Sequence, residues 1–98
     1  MNAILMINVK ILCNKTHLRY SVRRMVEAAH RNLLAEYPDL QVNITEVSDM
    51  EEIFKYTQVM VAPGLVINEK LVYDLWIPKK EQVITWLRQA IQEQISKG

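Results

Sequence analysis

A Pro-Gly pair set between two apolar runs constrains this chain more than any other stretch: Val59-Met60-Val61-Ala62-Pro63-Gly64-Leu65-Val66-Ile67-Asn68. Leu65 to Ile67 reads as a strand, Asn68-Glu69-Lys70 as a turn, and Leu71 to Leu75 as the antiparallel partner. Whatever precedes this closing hairpin must supply the rest of a sheet and its cover.

Residues 4 to 12, Ile-Leu-Met-Ile-Asn-Val-Lys-Ile-Leu, are nearly all apolar and β-prone. Such a run suits a central strand buried on both faces. Cys13-Asn14-Lys15 then turns the chain. Thr16 begins a helix running to about Tyr37, with Leu18, Val22, Met25, Val26, Ala29 and Leu33 as one apolar stripe. Thr16 is the expected N-cap, and Pro38-Asp39 stops the helix. Arg19, Arg23, Arg24, His30 and Arg31 lie off the stripe. A solvated face is the expectation there, since Glu27 and Glu36 dilute a phosphate-binding patch.

Gln41 to Val47 alternates as a half-exposed edge strand, with Val42 and Ile44 on one face. Ser48-Asp49-Met50-Glu51 reads as a capping box for a short helix that turns Met50, Ile53 and Phe54 inward and ends near Tyr56. Pro78 precedes a last helix over about Lys79 to Ser96, buried through Val83, Ile84, Leu87, Ile91 and Ile95 and widened by Trp86 and Ala90. The order is β-α-β-α-β-β-α. The first crossover implies a parallel pair and the hairpin an antiparallel one, so the fold class is α/β: a four-stranded mixed sheet with helices on both faces.

The 98 residues suit a single domain, 1–98, and half of them are apolar. A net charge of +1 gives no pull toward nucleic acid or an anionic membrane. The apolar start lacks a basic leader and is broken by Asn8 and Lys10, so it reads as a strand rather than a signal peptide. No apolar run approaches transmembrane length. One cysteine, Cys13, excludes an internal disulfide and fits a reducing, cytoplasmic setting. His17 and His30 have no partners at ligand spacing, so no metal is expected. With two glycines in all, the chain has no phosphate-cradling loop, and no cofactor is expected.

The element order, with Ala62-Pro63 before the third strand, resembles the thioredoxin fold. It resembles in particular the small, glutaredoxin-sized redox-disulfide proteins, whose later half reads approximately V-M-S-T-P-A-L-V-I-N-G-K, then a strand, a Gly and a Pro-led helix. The resemblance covers nearly the whole chain and is specific in this half. It implies a cis-proline at Pro63, beside a groove that receives extended substrate segments.

The same resemblance implies a Cys-x-x-Cys at the start of the first helix, and here the chain departs. An ungapped match lays Thr16-His17-Leu18-Arg19 over the motif, and neither Thr16 nor Arg19 can exchange disulfides. A second register makes Cys13-Asn14-Lys15-Thr16 a monothiol-like Cys-x-x-Thr, with Lys15 and His17 near the thiol. Stripe continuity favours the first register, with Cys13 buried and inert.

Leu75 stands where the family has Gly, which would narrow the groove. Trp76 and Ile77 either form an apolar surface there or leave Trp76 folded onto the last helix. Glu69 replaces the hairpin Gly, so a turn looser than a two-residue type I′ turn is expected. Lys79 replaces the usual Ser or Thr cap.

The first functional reading is a redox-inactive thioredoxin-fold protein that binds a protein partner or an extended peptide. Its contact residues would be Thr16, His17, Ala62, Pro63, Leu75, Trp76 and Ile77. Unpaired sheet edges and Trp76 add a homodimer to the expectations. The alternative is a monothiol oxidoreductase or redox sensor using Cys13. A weaker resemblance is to clock-type thioredoxin-fold proteins, which bind partners without catalysis.

Overall fold

A computed structural model describes residues 5–58 and 62–97. The expectations for Ile4, Val59, Met60 and Val61 lie outside the described residues. The elements are β1 (Leu5–Leu12), α1 (Thr16–Leu33), β2 (Leu40–Val47), α2 (Met50–Phe54), β3 (Gly64–Ile67), β4 (Lys70–Tyr73) and α3 (Lys80–Lys97). The four strands lie in the order β2-β1-β3-β4. β1 pairs parallel with β2 and antiparallel with β3, and β3 pairs antiparallel with β4.

The main core lies on one face of the sheet. Ile7, Val9 and Ile11 of β1 and Leu65 and Ile67 of β3 meet Val22, Val26, Ala29 and Leu33 of α1 and Val83, Leu87 and Ile91 of α3. A smaller core on the other face joins Leu12 and Val66 to Ile53 of α2.

The two faces are not equally covered, which corrects the reading of β1 as buried on both. Met6 and Asn8 are exposed. At about 1.5 Å per residue, α2 spans too little of the sheet to reach them. Phe54 is likewise exposed rather than inward. Neighbouring helical residues point roughly 100° apart, so once Ile53 faces the core Phe54 is turned out.

Three end-of-element expectations shift by local chemistry. Lys15, not Thr16, is the N-cap of α1, and it makes no side-chain cap bond. Asp49 rather than Ser48 caps α2, its carboxylate accepting from the Glu51 N–H at 3.4 Å. Regular α1 ends at Leu33, yet the Tyr37 N–H still donates to the Leu33 carbonyl at 2.8 Å, so helix-like bonding reaches the residue before Pro38.

The hairpin turn is tighter than expected. Ile67 pairs with Lys70, leaving Asn68 and Glu69 as a two-residue loop with φ of 49° and 69°. Both residues take the positive φ that a type I′ turn requires. Reciprocal bonds between Asn8 and Asn68 hold it: the Asn68 N–H donates to the Asn8 carbonyl at 2.8 Å, and the Asn8 N–H to Asn68 Oδ1 at 2.9 Å.

Candidate functional site

The pairing register gathers the sequence-derived residues at one end of the sheet. Leu12, the last residue of β1, pairs with Gly64 at the start of β3 and with Val47 at the end of β2. Leu65 pairs with Tyr73, the last residue of β4. Cys13, Pro63 and Asp74 therefore each lie one residue beyond this end. The starts of α1 and α3 follow directly.

Cys13 extends β1: its N–H donates to the Val47 carbonyl at 3.0 Å. Its side chain is 4% exposed, and Sγ accepts from the Lys15 N–H at 3.4 Å. Cys13 thus sits three residues ahead of the first helical residue. Thr16 and His17 are exposed at the helix start, and Leu18 is buried beneath them.

Arg19 closes this corner. Nη1 donates to the Cys13 carbonyl at 2.7 Å, Nη2 to Thr16 Oγ1 at 3.3 Å, and Nε to Glu46 Oε1 at 3.1 Å. Arg23 takes the other oxygen of Glu46 at 3.0 Å. The arginine face expected to be solvated is therefore partly engaged on β2, and the Arg19 side chain is only 14% exposed. A planar fork with several donors can satisfy a carbonyl, a hydroxyl and a carboxylate together.

On the far side of the corner, Ala62 and Pro63 are buried. No peptide bond among the described residues is cis, so Ala62-Pro63 is trans, against the expectation of a cis-proline. The trans form is intrinsically favoured before proline by about 0.5–1 kcal/mol, and the resemblance alone had argued otherwise. Gly64 follows, packed so closely that an added Cβ would sit 3.3 Å from Leu12 Cδ1.

The β4–α3 loop supplies the apolar surface. Leu75 is 72% and Trp76 52% exposed. Ile77 is half-buried against the main core, as are Tyr73 and Trp86, whose rings are 5.2 Å apart. Of the two readings of Trp76, the exposed one is the observed one. Lys79 stands at the α3 cap without a capping side chain, but its backbone N–H donates to Gln82 Oε1 at 2.9 Å. Gln82 thus provides the reaching-back half of a capping box.

Thr57 and Asp74 were not marked by the sequence. The buried Thr57 hydroxyl donates to Asp74 Oδ2 at 2.7 Å, tying the segment after α2 to the loop before Leu75. A Thr and an Asp seventeen residues apart carry no pattern that could have announced them.

The pattern of the thioredoxin domain matches residues 7–88. The chain belongs to the thioredoxin domain family. Among curated proteins, none matches it significantly. In this thioredoxin domain the corner of the sheet that follows β1 holds one buried thiol and an arginine network. With one cysteine, the chain has no second thiol to resolve a mixed disulfide. Among the described residues, no group of three His, Cys, Asp or Glu side chains is placed to hold a metal ion. No helix among them is long and apolar enough to cross a membrane.

A second polar cluster lies on the α2 face. Lys10 Nζ donates to Tyr56 OH at 2.7 Å and pairs with Glu69 Oε1 at 2.9 Å, while Tyr56 OH donates to Glu69 Oε2 at 2.6 Å. The Tyr56 hydrogen bond, then the Glu69 carboxylate, holds the Lys10 amine above its ordinary range. The Tyr56 hydrogen bond, then Lys10, holds Glu69 below the usual carboxylate range.

Proposed function

We propose that this thioredoxin domain is a binding module that takes an extended protein segment at the Pro63 end of the sheet and performs no dithiol exchange. The observation that carries it is the exposure of Leu75 and Trp76 on the loop that enters α3. Large aromatic side chains are the commonest anchors of protein interfaces. Thr16 and His17 border the surface, Ala62 and Pro63 are its floor, and Ile77 supports it from the core side. Arg19 ties the β1–α1 turn to the start of α1 and to β2 through Cys13, Thr16 and Glu46. A reducing cytoplasmic setting, read from the single cysteine, belongs to the same proposal.

One observation favours a second reading, a monothiol site. The Lys15 N–H points at Cys13 Sγ, a contact that suits a thiolate. Burial of that sulfur speaks against attack on a bulky disulfide.

Selection from a library of extended peptides tests the proposal. Selected peptides are expected to bind Trp76→Ser at least about tenfold more weakly, a difference of about 1.4 kcal/mol. Leu75→Ser is expected to weaken them also, and Cys13→Ser to leave affinity unchanged. Equal affinity for Trp76→Ser and the parent overturns the surface. Turnover of a glutathione mixed disulfide that disappears in Cys13→Ser establishes the monothiol reading instead.

A further inference from the structure

We propose that β2 is a pairing edge for a second copy of this chain, joining the two sheets antiparallel about a two-fold axis through Ile44. β2 is an edge strand of eight residues, without proline, lysine or an interrupted register against β1. The opposite edge, β4, carries the usual protections: it has four residues, begins at Lys70, and lies beside a register shift at Leu65/Val66.

The backbone of β2 shows which groups are available. In a parallel ladder, alternate residues turn both N–H and C=O toward the same neighbour. The Val47 carbonyl accepts from Cys13 of the β1 chain, so Val47, Thr45, Asn43 and Gln41 face inward. Glu46, Ile44, Val42 and Leu40 face outward. Leu40 is already satisfied, because its N–H donates to the Tyr37 carbonyl at 3.0 Å and its own carbonyl lies 2.8 Å from His30 Nε2. The outward backbone groups of Val42, Ile44 and Glu46 have no hydrogen-bond partner among the described residues.

Those three positions are self-complementary. An antiparallel two-fold at Ile44 sets Ile44 opposite its own copy and Val42 opposite Glu46, so every outward group on both strands is bonded. A two-fold at Asn43 would instead set Glu46 against Leu40, which His30 and Tyr37 occupy. On the exposed face, the axis at Ile44 places Asn43 opposite Thr45, a neutral polar pair. The one charge on the strand, Glu46, is held by Arg19 and Arg23 and brings no unneutralised repulsion. Edge pairing alone makes an interface at or below the small end of specific ones, about 1,200 Å², so the dimer is weak and concentration-dependent.

Two measurements on the full chain test this. In amide hydrogen exchange from micromolar to millimolar protein, the Val42, Ile44 and Glu46 N–H groups are expected to slow several-fold. Those of Asn43 and Thr45, already bonded to β1, stay unchanged. Concentration-independent exchange at the three outward amides overturns the proposal. Sedimentation velocity provides the second test, using Asn43→Lys/Thr45→Lys and Asn43→Glu/Thr45→Glu, both at exposed positions and checked for native circular dichroism. Each is expected to remain monomeric alone, because like charges face each other, and an equimolar mixture is expected to associate. Dimers of either variant alone, or a mixture that stays monomeric while the parent dimerises, reject β2 as the interface. If either double variant misfolds, the concentration dependence of exchange at the three outward amides of the parent decides alone.

Discussion

Arg19 donates to the carbonyl of Cys13 across 2.7 Å, so the first helix is fastened to the end of the strand that precedes it. The same guanidinium reaches Thr16 and Glu46. Arg19→Ala leaves the part-buried Cys13 carbonyl without its side-chain donor and Glu46 with Arg23 alone. Removing one partner of such bonds costs about 1–3 kcal/mol. Arg19→Lys is expected to recover part of that, because a point charge cannot serve three acceptors in a fork. Urea unfolding at unchanged m-value reads both. Parent-like stability of Arg19→Ala would mean that the network is incidental.

The Leu12–Gly64 contact yields a second expectation. A Cβ on residue 64 would lie 3.4 Å from Leu12 Cβ as well as 3.3 Å from Cδ1, and the nearer end of that side chain cannot swing away. Gly64→Ala is therefore expected to cost roughly 1 kcal/mol, the low end of overpacking penalties. The cost should shrink or reverse in a Leu12→Ala background, where restricting the unfolded chain contributes about 0.4–1 kcal/mol in favour of alanine. A double-mutant cycle measures the difference. Strict additivity would show that the two residues do not compete for space.

The architecture was legible because its signals are periodic. The α1 stripe, the alternation in β2 and the Pro-Gly entry to β3 each report which side of an element is buried, and the sheet order follows from connection rules. Pairwise geometry was not legible. Phe54 carries the right chemistry for a core but sits one position past Ile53. Glu69 looked unsuited to a tight turn, yet Lys10 and Tyr56, 59 and 13 residues away, receive its carboxylate there. At the candidate site, the missing dithiol was plain from the sequence, whereas the Arg19 network beside Cys13 and the Thr57–Asp74 link depend on which loops meet. The trans bond at Pro63 shows the limit of reading a local conformation from resemblance.

Thr57 links two loops through Asp74, and the consequence is expected on both sides. Thr57→Val keeps the shape but removes a buried hydroxyl donor from a carboxylate at 2.7 Å. Hydrogen bonds to charged groups contribute about 1.5–3 kcal/mol, and partial exposure of Asp74 places this one toward the low end. Exchange of backbone amides at Leu75 and Trp76 is expected to quicken with the loss of stability. Slow exchange there with unchanged unfolding would show that the loop is held by Ile77 and Pro78 alone.

Glu69 holds a backbone conformation that disfavours a side chain, and its carboxylate supplies the compensation through Tyr56 and Lys10. Its pKa in the folded protein is depressed, so its stabilising effect is present above the unfolded value near 4.5 and is lost as pH falls through the lower folded value. The Lys10 pKa is raised, so that contribution is complete below 10.5 and is lost only as pH rises beyond it. The cluster is therefore intact from mildly acid to mildly alkaline pH. Glu69→Gln keeps the strained backbone but removes the charge. Its melting temperature is expected below the parent's at neutral pH, with the gap closing in acid and narrowing with added salt. Glu69→Gly relieves the backbone instead, since glycine adopts positive φ freely. It is expected to melt above Glu69→Gln throughout and to match or pass the parent in acid. A parent–Gln gap that stays constant from neutral to acid pH would show that the carboxylate has no part in holding the turn.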